Sequence, residues 1–399
     1  MAISVLGVRY VLVVQAERDR AVAAEMAAAD ALGVSSAVNA YMKAVIGAAN
    51  PREHGKEVTV AEALAFAEER IGLDLAGQPR VEAGVRGMIG STYLGLGRLE
   101  EAEGQLTLAL ELAEEHFGAG TPETLDLLHS LATLRQDQGD LAAGERLLER
   151  VIAGRLALLG PDHEKTLSAQ ADLGRLYVKL ERFDEAEALL TDVVAHLQHA
   201  RGSDDPDVLI ARKDLATVAL LTGRIDLAKS ELRQVLEAQE RTLGQEHPDT
   251  LVTMSDLASV LRRGDASEQA EAIELFKEAL AGFAARQEPG HMDRVIVAFN
   301  LANTLRKAGR PDEALGYART ALEEGELGLG SEHYITLLSG AQVGGLLAET
   351  GDVVHGREAL LEARERIVEV FGEGHTYVNY VDLQLDQLDQ DESSKSDEP

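Results

Sequence analysis

The apolar residues of this chain recur three and four apart, the spacing that lays them along one face of an α-helix, and a short phrase opens each such stretch. The phrase reads TPETL to Leu125, HEKTL to Leu167, DPDVL to Leu209, HPDTL to Leu251, HMDRV to Val295, HYITL to Leu337 and HTYVN to Asn379. Its last residues stand 42, 42, 42, 44, 42 and 42 apart, and the single 44 coincides with two extra residues in RRGDASEQAEA, between Arg262 and Ala272. Self-similarity at a fixed period of this size marks a stacked repeat. One further period before Leu125 falls on Ala83, in a segment of the same pattern, so seven units run over 79–374.

Within a unit, the packed arc of the first helix is illustrated by Met254, Leu257, Ala258 and Leu261. Its third position is always small: Gly90, Ala132, Gly174, Ala216, Ala258, Ala302 and Gly344. A second small column follows on the next helix at Ala102, Gly144, Ala186, Ala228, Ala272, Ala314 and Gly356. Two such columns let paired helices approach closely. Gly97, Gly139, Gly223, Gly309 and Gly351 lie between the paired helices, where a residue of positive φ ends the first one. Pro, Asp and Thr in the opening phrases suit the cap and first turn of the helix that follows.

Each unit is therefore a helical hairpin that cannot bury its apolar face alone and must stack on its neighbours. The expected fold class is all-α, a right-handed superhelical solenoid of about seven hairpins over 79–120, 121–162, 163–204, 205–246, 247–290, 291–332 and 333–374. A capping helix is expected over 375–389 and a disordered acidic tail over 390–399. The paired small columns resemble those of the tetratricopeptide repeat, with Tyr93 and Tyr177 at its aromatic position. The ordinary unit of that family has about 34 residues; the longer period, with junctions such as LGQEHPDTL, resembles the class found in kinesin light chains and many bacterial proteins. HEAT and armadillo units are of similar length, but no third helix fits the pattern.

Before the repeats, residues 1–15 hold an apolar run, Ile3 to Val14, well short of the roughly 18–20 residues that span a bilayer. The QAERDR that follows does not make it a signal peptide. Residues 16–78 read as a helical linker or capping region interrupted at Gly33. The phrase from Asn50 to Pro79 resembles the junction that precedes C-terminal repeats in bacterial serine/threonine kinases. Phosphotransfer does not carry over with that resemblance, because the chain has no Gly-rich phosphate loop on a strand and no HRD-like or DFG-like phrase.

Composition narrows the function. Aromatics are 4% of the 399 residues, Trp is absent and Pro occurs nine times, a helical vocabulary. With 69 acidic residues against 38 basic, the net charge of −31 repels nucleic-acid phosphates, and it leaves membrane contact only to residues 1–14. The lack of cysteine excludes disulfides and thiol chemistry and fits a cytoplasmic setting.

No catalytic residue, metal site or cofactor is expected. His163, His247, His291, His333 and His375 recur in the opening phrase, but Thr121 and Asp205 replace them, and residues one unit apart cannot share an ion. Carboxylate pairs such as Glu114 and Glu115 read as solvated faces, and the glycines around Gly84–Gly97 lack the strand that a phosphate loop needs.

A second arc of the first helix, beside the packed one, lines the concave groove by analogy with the family. In units three to six it holds Arg175, Lys179, Lys213, Arg262, Arg263, Arg306 and Lys307, with no Asp or Glu among its twenty positions. Several of these bases stand near helix C-termini, where the helix dipole favours cations; Arg175 and Lys213 stand mid-helix. Thr217, Ser259 and Asn303 add hydrogen-bonding groups, and Leu220 and Phe299 add apolar contact. The expected function is that of an adaptor or scaffold binding a protein or peptide partner, with an acidic segment in the groove. The alternative is a regulatory sensor module for a bacterial serine/threonine kinase system, membrane-associated through its N-terminus.

Overall fold

A computed structural model describes residues 32–45 and 59–396; the N-terminal apolar run lies outside these residues. Helix α1 covers 32–45 and α2 covers Val60–Asp74. Helices then follow in pairs: α3 (Pro79–Gly95) and α4 (Leu99–His116), α5 (Pro122–Asp137) and α6 (Leu141–Leu159), α7 (Glu164–Lys179) and α8 (Phe183–Arg201), α9 (Pro206–Leu221) and α10 (Ile225–Thr242). The series continues with α11 (Pro248–Leu261) and α12 (Ala266–Ala284), α13 (Met292–Lys307) and α14 (Pro311–Gly328), α15 (Tyr334–Glu349) and α16 (Val353–Phe371), and ends with the single helix α17 (Thr376–Ser396). The described residues contain no strand. They form two compact units, one up to Leu189 and one from Leu190 onward.

The phrase that repeats along the sequence is the helix cap. Thr121 and Asp205 accept a hydrogen bond from a backbone N–H of the first turn, as threonine and aspartate caps do. The junction histidines replace them through Nδ1, which accepts from the backbone N two residues on: His163 from Lys165 at 3.2 Å, His247 from Asp249 at 3.3 Å, His291 from Asp293 at 3.4 Å, His333 from Ile335 at 3.4 Å and His375 from Tyr377 at 3.3 Å. Turns within hairpins use left-handed backbone at Gly97, Gly139, Gly223, Gly309 and Gly351; in the third hairpin Glu181 takes this role, at φ 58°.

In the first unit, Leu64, Ile71, Ile89, Tyr93 and Leu106 belong to one buried cluster, and a Cβ on Gly90 would lie 2.7 Å from Leu106 Cγ. In the second, Leu257, Ala258, Phe276, Leu301, Ala302 and Leu305 belong to another. The small columns bring helix backbones together: a Cβ on Gly356 would lie 2.7 Å from both Gly344 O and Ala348 N. Helix α17 continues to Ser396, past the expected end at 389, because the segment holds no Gly or Pro to stop it.

Candidate binding face

Within the second unit, first helices touch directly, α11 with α13, α13 with α15 and α15 with α17, forming one continuous row. Ten of the twelve residues expected at the site lie in this unit: Lys213, Thr217 and Leu220 on α9, Ser259 on α11, Arg262 and Arg263 in the turn after it, and Phe299, Asn303, Arg306 and Lys307 on α13. Arg175 and Lys179 belong to α7, in the first unit.

Several bases of the arc are paired with carboxylates from outside its twenty positions. Arg175 is paired with Asp172, Lys213 with Asp256 at 3.1 Å, and Arg306 with Glu349 at 2.6 Å. Asp172 and Asp256 each stand five residues after the anchor of their unit, just outside the arc. From there a carboxylate reaches a base on its own helix or on the first helix of the preceding hairpin. Asp256 keeps 45% of its side-chain surface open to solvent, yet the groups crowding it push its carboxyl pKa up, against the pull of Lys213.

Arg262, Arg263 and Lys307 remain. Among the described residues none has a carboxylate partner. Lys307 Nζ donates to the Arg262 carbonyl oxygen at 3.0 Å, which holds two of these cations together. Crowding, and then the charge of Arg263, lower the Arg262 guanidinium pKa from its ordinary value. Ser259 and Asn303 are half-buried, and their side chains have no hydrogen-bond partner among the described residues. Thr217 Oγ1 donates to the Lys213 carbonyl at 3.1 Å, and Leu220 packs against the core. In the first unit, Lys179 is exposed and likewise has no carboxylate partner.

Arg306 has a different role. It reaches past α15 to Gln384 on α17, with Nη1 3.0 Å from Oε1, and Gly345 makes the passage possible: a Cβ there would lie 2.2 Å from Gln384 Oε1. A cavity of about 120 Å³ remains beside this latch, lined by Arg306, Gly345, Glu349, Gln384, Gln387 and Leu388. It is small beside the roughly 300–1,000 Å³ of a ligand pocket. Glycine at position 345 was its sequence signal, but the contact joins units two apart and does not show within one period.

A second group missed in the sequence lies in the first unit. His129 Nε2 is 2.6 Å from Asp172, and its Nδ1 faces the Arg155 guanidinium at 3.3 Å. Arg155, only 3% exposed, also donates to Asp126 at 2.8 Å and to the Lys165 carbonyl at 2.7 Å. Because arginine only donates, His129 is fixed with its proton on Nε2 and both nitrogens engaged. The group joins α5, α6 and α7 and leaves the imidazole no free lone pair. Among the described residues no His, Asp and Glu set is arranged to hold a metal ion, and no helix is long and apolar enough to cross a membrane.

Paired antiparallel helices with small contact columns, capped at a constant interval, define a helical-hairpin repeat protein. The tetratricopeptide repeat profiles match residues 83–123 and, in overlapping blocks, 123–199, 178–241, 207–283 and 267–323. These blocks span more than half of the chain, which belongs to the tetratricopeptide repeat family, whose stacked hairpins present surfaces for binding other proteins. No curated protein matches the sequence. Solved structures similar to it include a Podosopora anserina protein described as a kinesin light chain with nearly identical TPR-like repeats, at 28% identity and a TM-score of 0.44, over 51% of this chain and 95% of that one. BtubC from P. vanneervenii is 17% identical, with a TM-score of 0.48, over 58% and 95%. The apo quorum sensor NprR from B. thuringiensis is 12% identical, with a TM-score of 0.50, over 89% and 98%, and shares the fold alone.

Proposed function

We propose that this chain is a non-catalytic interaction scaffold of the cytoplasm, and that the first-helix face of its second unit receives a protein segment rich in acidic residues. One observation carries the reading: in a chain of net charge −31, Arg262, Arg263 and Lys307 gather on this face without a carboxylate partner among the described residues. An acidic segment would supply that counter-charge, and the three clustered cations would attract it from an otherwise acidic surface. Ser259 and Asn303 would bond its backbone, and half-buried Phe299 would give it apolar contact.

Selection from a random peptide library displayed against the purified chain tests the proposal. Enrichment of Asp and Glu, with binding that weakens as salt rises, is the expected result. Enrichment of neutral or basic peptides would refute the acidic partner.

A further inference from the structure

The turn after α11 is built differently from the six other turns within hairpins, each of which contains a residue of positive φ. The two extra residues of the 44-residue unit fall here. Helix α11 has 14 residues where α9 and α13 have 16, and no residue of 262–265 takes a left-handed backbone. Arg262 and Arg263, which the repeat register would place inside the helix, therefore stand in the turn.

The carboxylates closest in sequence are committed elsewhere. Asp265 accepts from the backbone N of Ser267 at 2.9 Å and of Glu268 at 3.0 Å, which caps α12. Glu268 in turn accepts from the Asp265 backbone N at 3.3 Å and from Lys229 Nζ at 2.6 Å. Lys307 brings a third cation to the turn through its bond to the Arg262 carbonyl. Arg262 Nε is shut away from solvent without a hydrogen bond. The dipole of α11 accounts for a cation at the helix end. It does not account for three cations converging with no anion among the described residues, nor for a buried donor left unbonded, both of which cost the fold free energy.

We infer that this turn is an oxyanion seat, in which Arg262, flanked by Arg263 and Lys307, grips carboxylates of the partner's acidic segment, and that the mutual repulsion of the three cations destabilises the hairpin that carries the turn. This rests on the acidic-partner reading above and names the residue that anchors it. A guanidinium holds a carboxylate through two of its N–H donors at once, a geometry lysine cannot reproduce. The insertion thus makes the fifth hairpin the place where the partner's register is set.

The test uses the full chain with a hexaglutamate peptide, and inorganic sulfate in parallel, following peptide anisotropy and thermal unfolding. R262Q should weaken hexaglutamate binding about tenfold or more, R262K should do nearly the same, and R262Q should raise the unfolding midpoint of the unliganded chain. A lowered midpoint in R262Q with unchanged peptide affinity would show a helix-end cation and overturn the seat. Stabilisation by sulfate as strong as that by the peptide would overturn the segment as its occupant. Peptide binding that survives in R262Q but is lost in F299E would remove the seat and leave the acidic-partner reading intact. No binding to the unaltered chain would remove both.

Discussion

Glu181 ends the first helix of the third hairpin with a left-handed backbone, φ 58°, at the position that holds Gly97, Gly139, Gly223, Gly309 and Gly351 in other hairpins. Replacing it with glycine isolates the cost of that conformation. The turn's hydrogen bonds, Glu181 N to Val178 O at 3.0 Å and Arg182 N to Tyr177 O at 2.9 Å, are made by backbone and survive the change. The Glu181 side chain is exposed and makes no ion pair among the described residues. A left-handed residue with a Cβ costs about 1–2 kcal/mol, and glycine returns about 0.5–1 kcal/mol through its freer unfolded chain. Glu181→Gly should therefore stabilise the hairpin by about 0.5–1 kcal/mol. Because repeat arrays need not unfold in one step, amide hydrogen exchange in α7 is a better readout than a single midpoint. Glu181→Ala is the control, since it keeps the Cβ and removes the charge near Asp184 and Glu185. Equal stabilisation by alanine and glycine would assign the effect to relief of charge repulsion and refute the conformational argument.

Gly356→Val should destabilise the second unit by roughly 3 kcal/mol or more, because its Cβ would strike backbone atoms of α15 that cannot yield, whereas Gly104→Ala, with nothing within 4 Å, should stabilise α4 by about 0.5–1 kcal/mol. Urea titrations of both variants check the contrast, which fails if the two shift in the same direction. Burial holds the His333 imidazole pKa below its ordinary value, so the folded chain binds its proton less readily than the unfolded one. The stability this site contributes is present above the unfolded value of about 6.5 and is lost as pH falls through the lower folded value. Protonating Nδ1 would also break its bond from the Ile335 N–H. His333→Asn keeps a capping side chain without the titration, so it should lose less stability than the unaltered chain between neutral pH and about pH 5; equal losses in thermal melts would show that His333 is not involved.

What the sequence revealed and what it hid differ in kind. Positions repeated at one interval, such as the small columns, the caps and the glycines of the turns, do the same work in every hairpin, so each unit corroborates the next. Contacts between unlike positions do not benefit from this. Asp256 reaches Lys213 from one hairpin further on, Arg306 reaches Gln384 across 78 residues, and Arg155 places a charge where Ala113 and Leu197 fill the same position in other units. The basic arc was legible because its residue types deviate together from an acidic background. Which of its members are free was not, because Asp172 and Asp256 sit one position outside the arc and Glu349 belongs to the seventh unit, beyond the four that show it. The 44-residue step was visible as an insertion, while its effect, a shortened α11 with two arginines moved into the turn, is a matter of where the helix ends.

On the proposed function, the partner binds at the first-helix face of the second unit. Hydrogen–deuterium exchange of the full chain, with and without an acidic peptide recovered by selection, tests it most directly. Slowed exchange is expected in α11, α13 and the turn after α11, with α12, α14 and α16 unchanged. Protection confined to those second helices, or to the first unit alone, would contradict it.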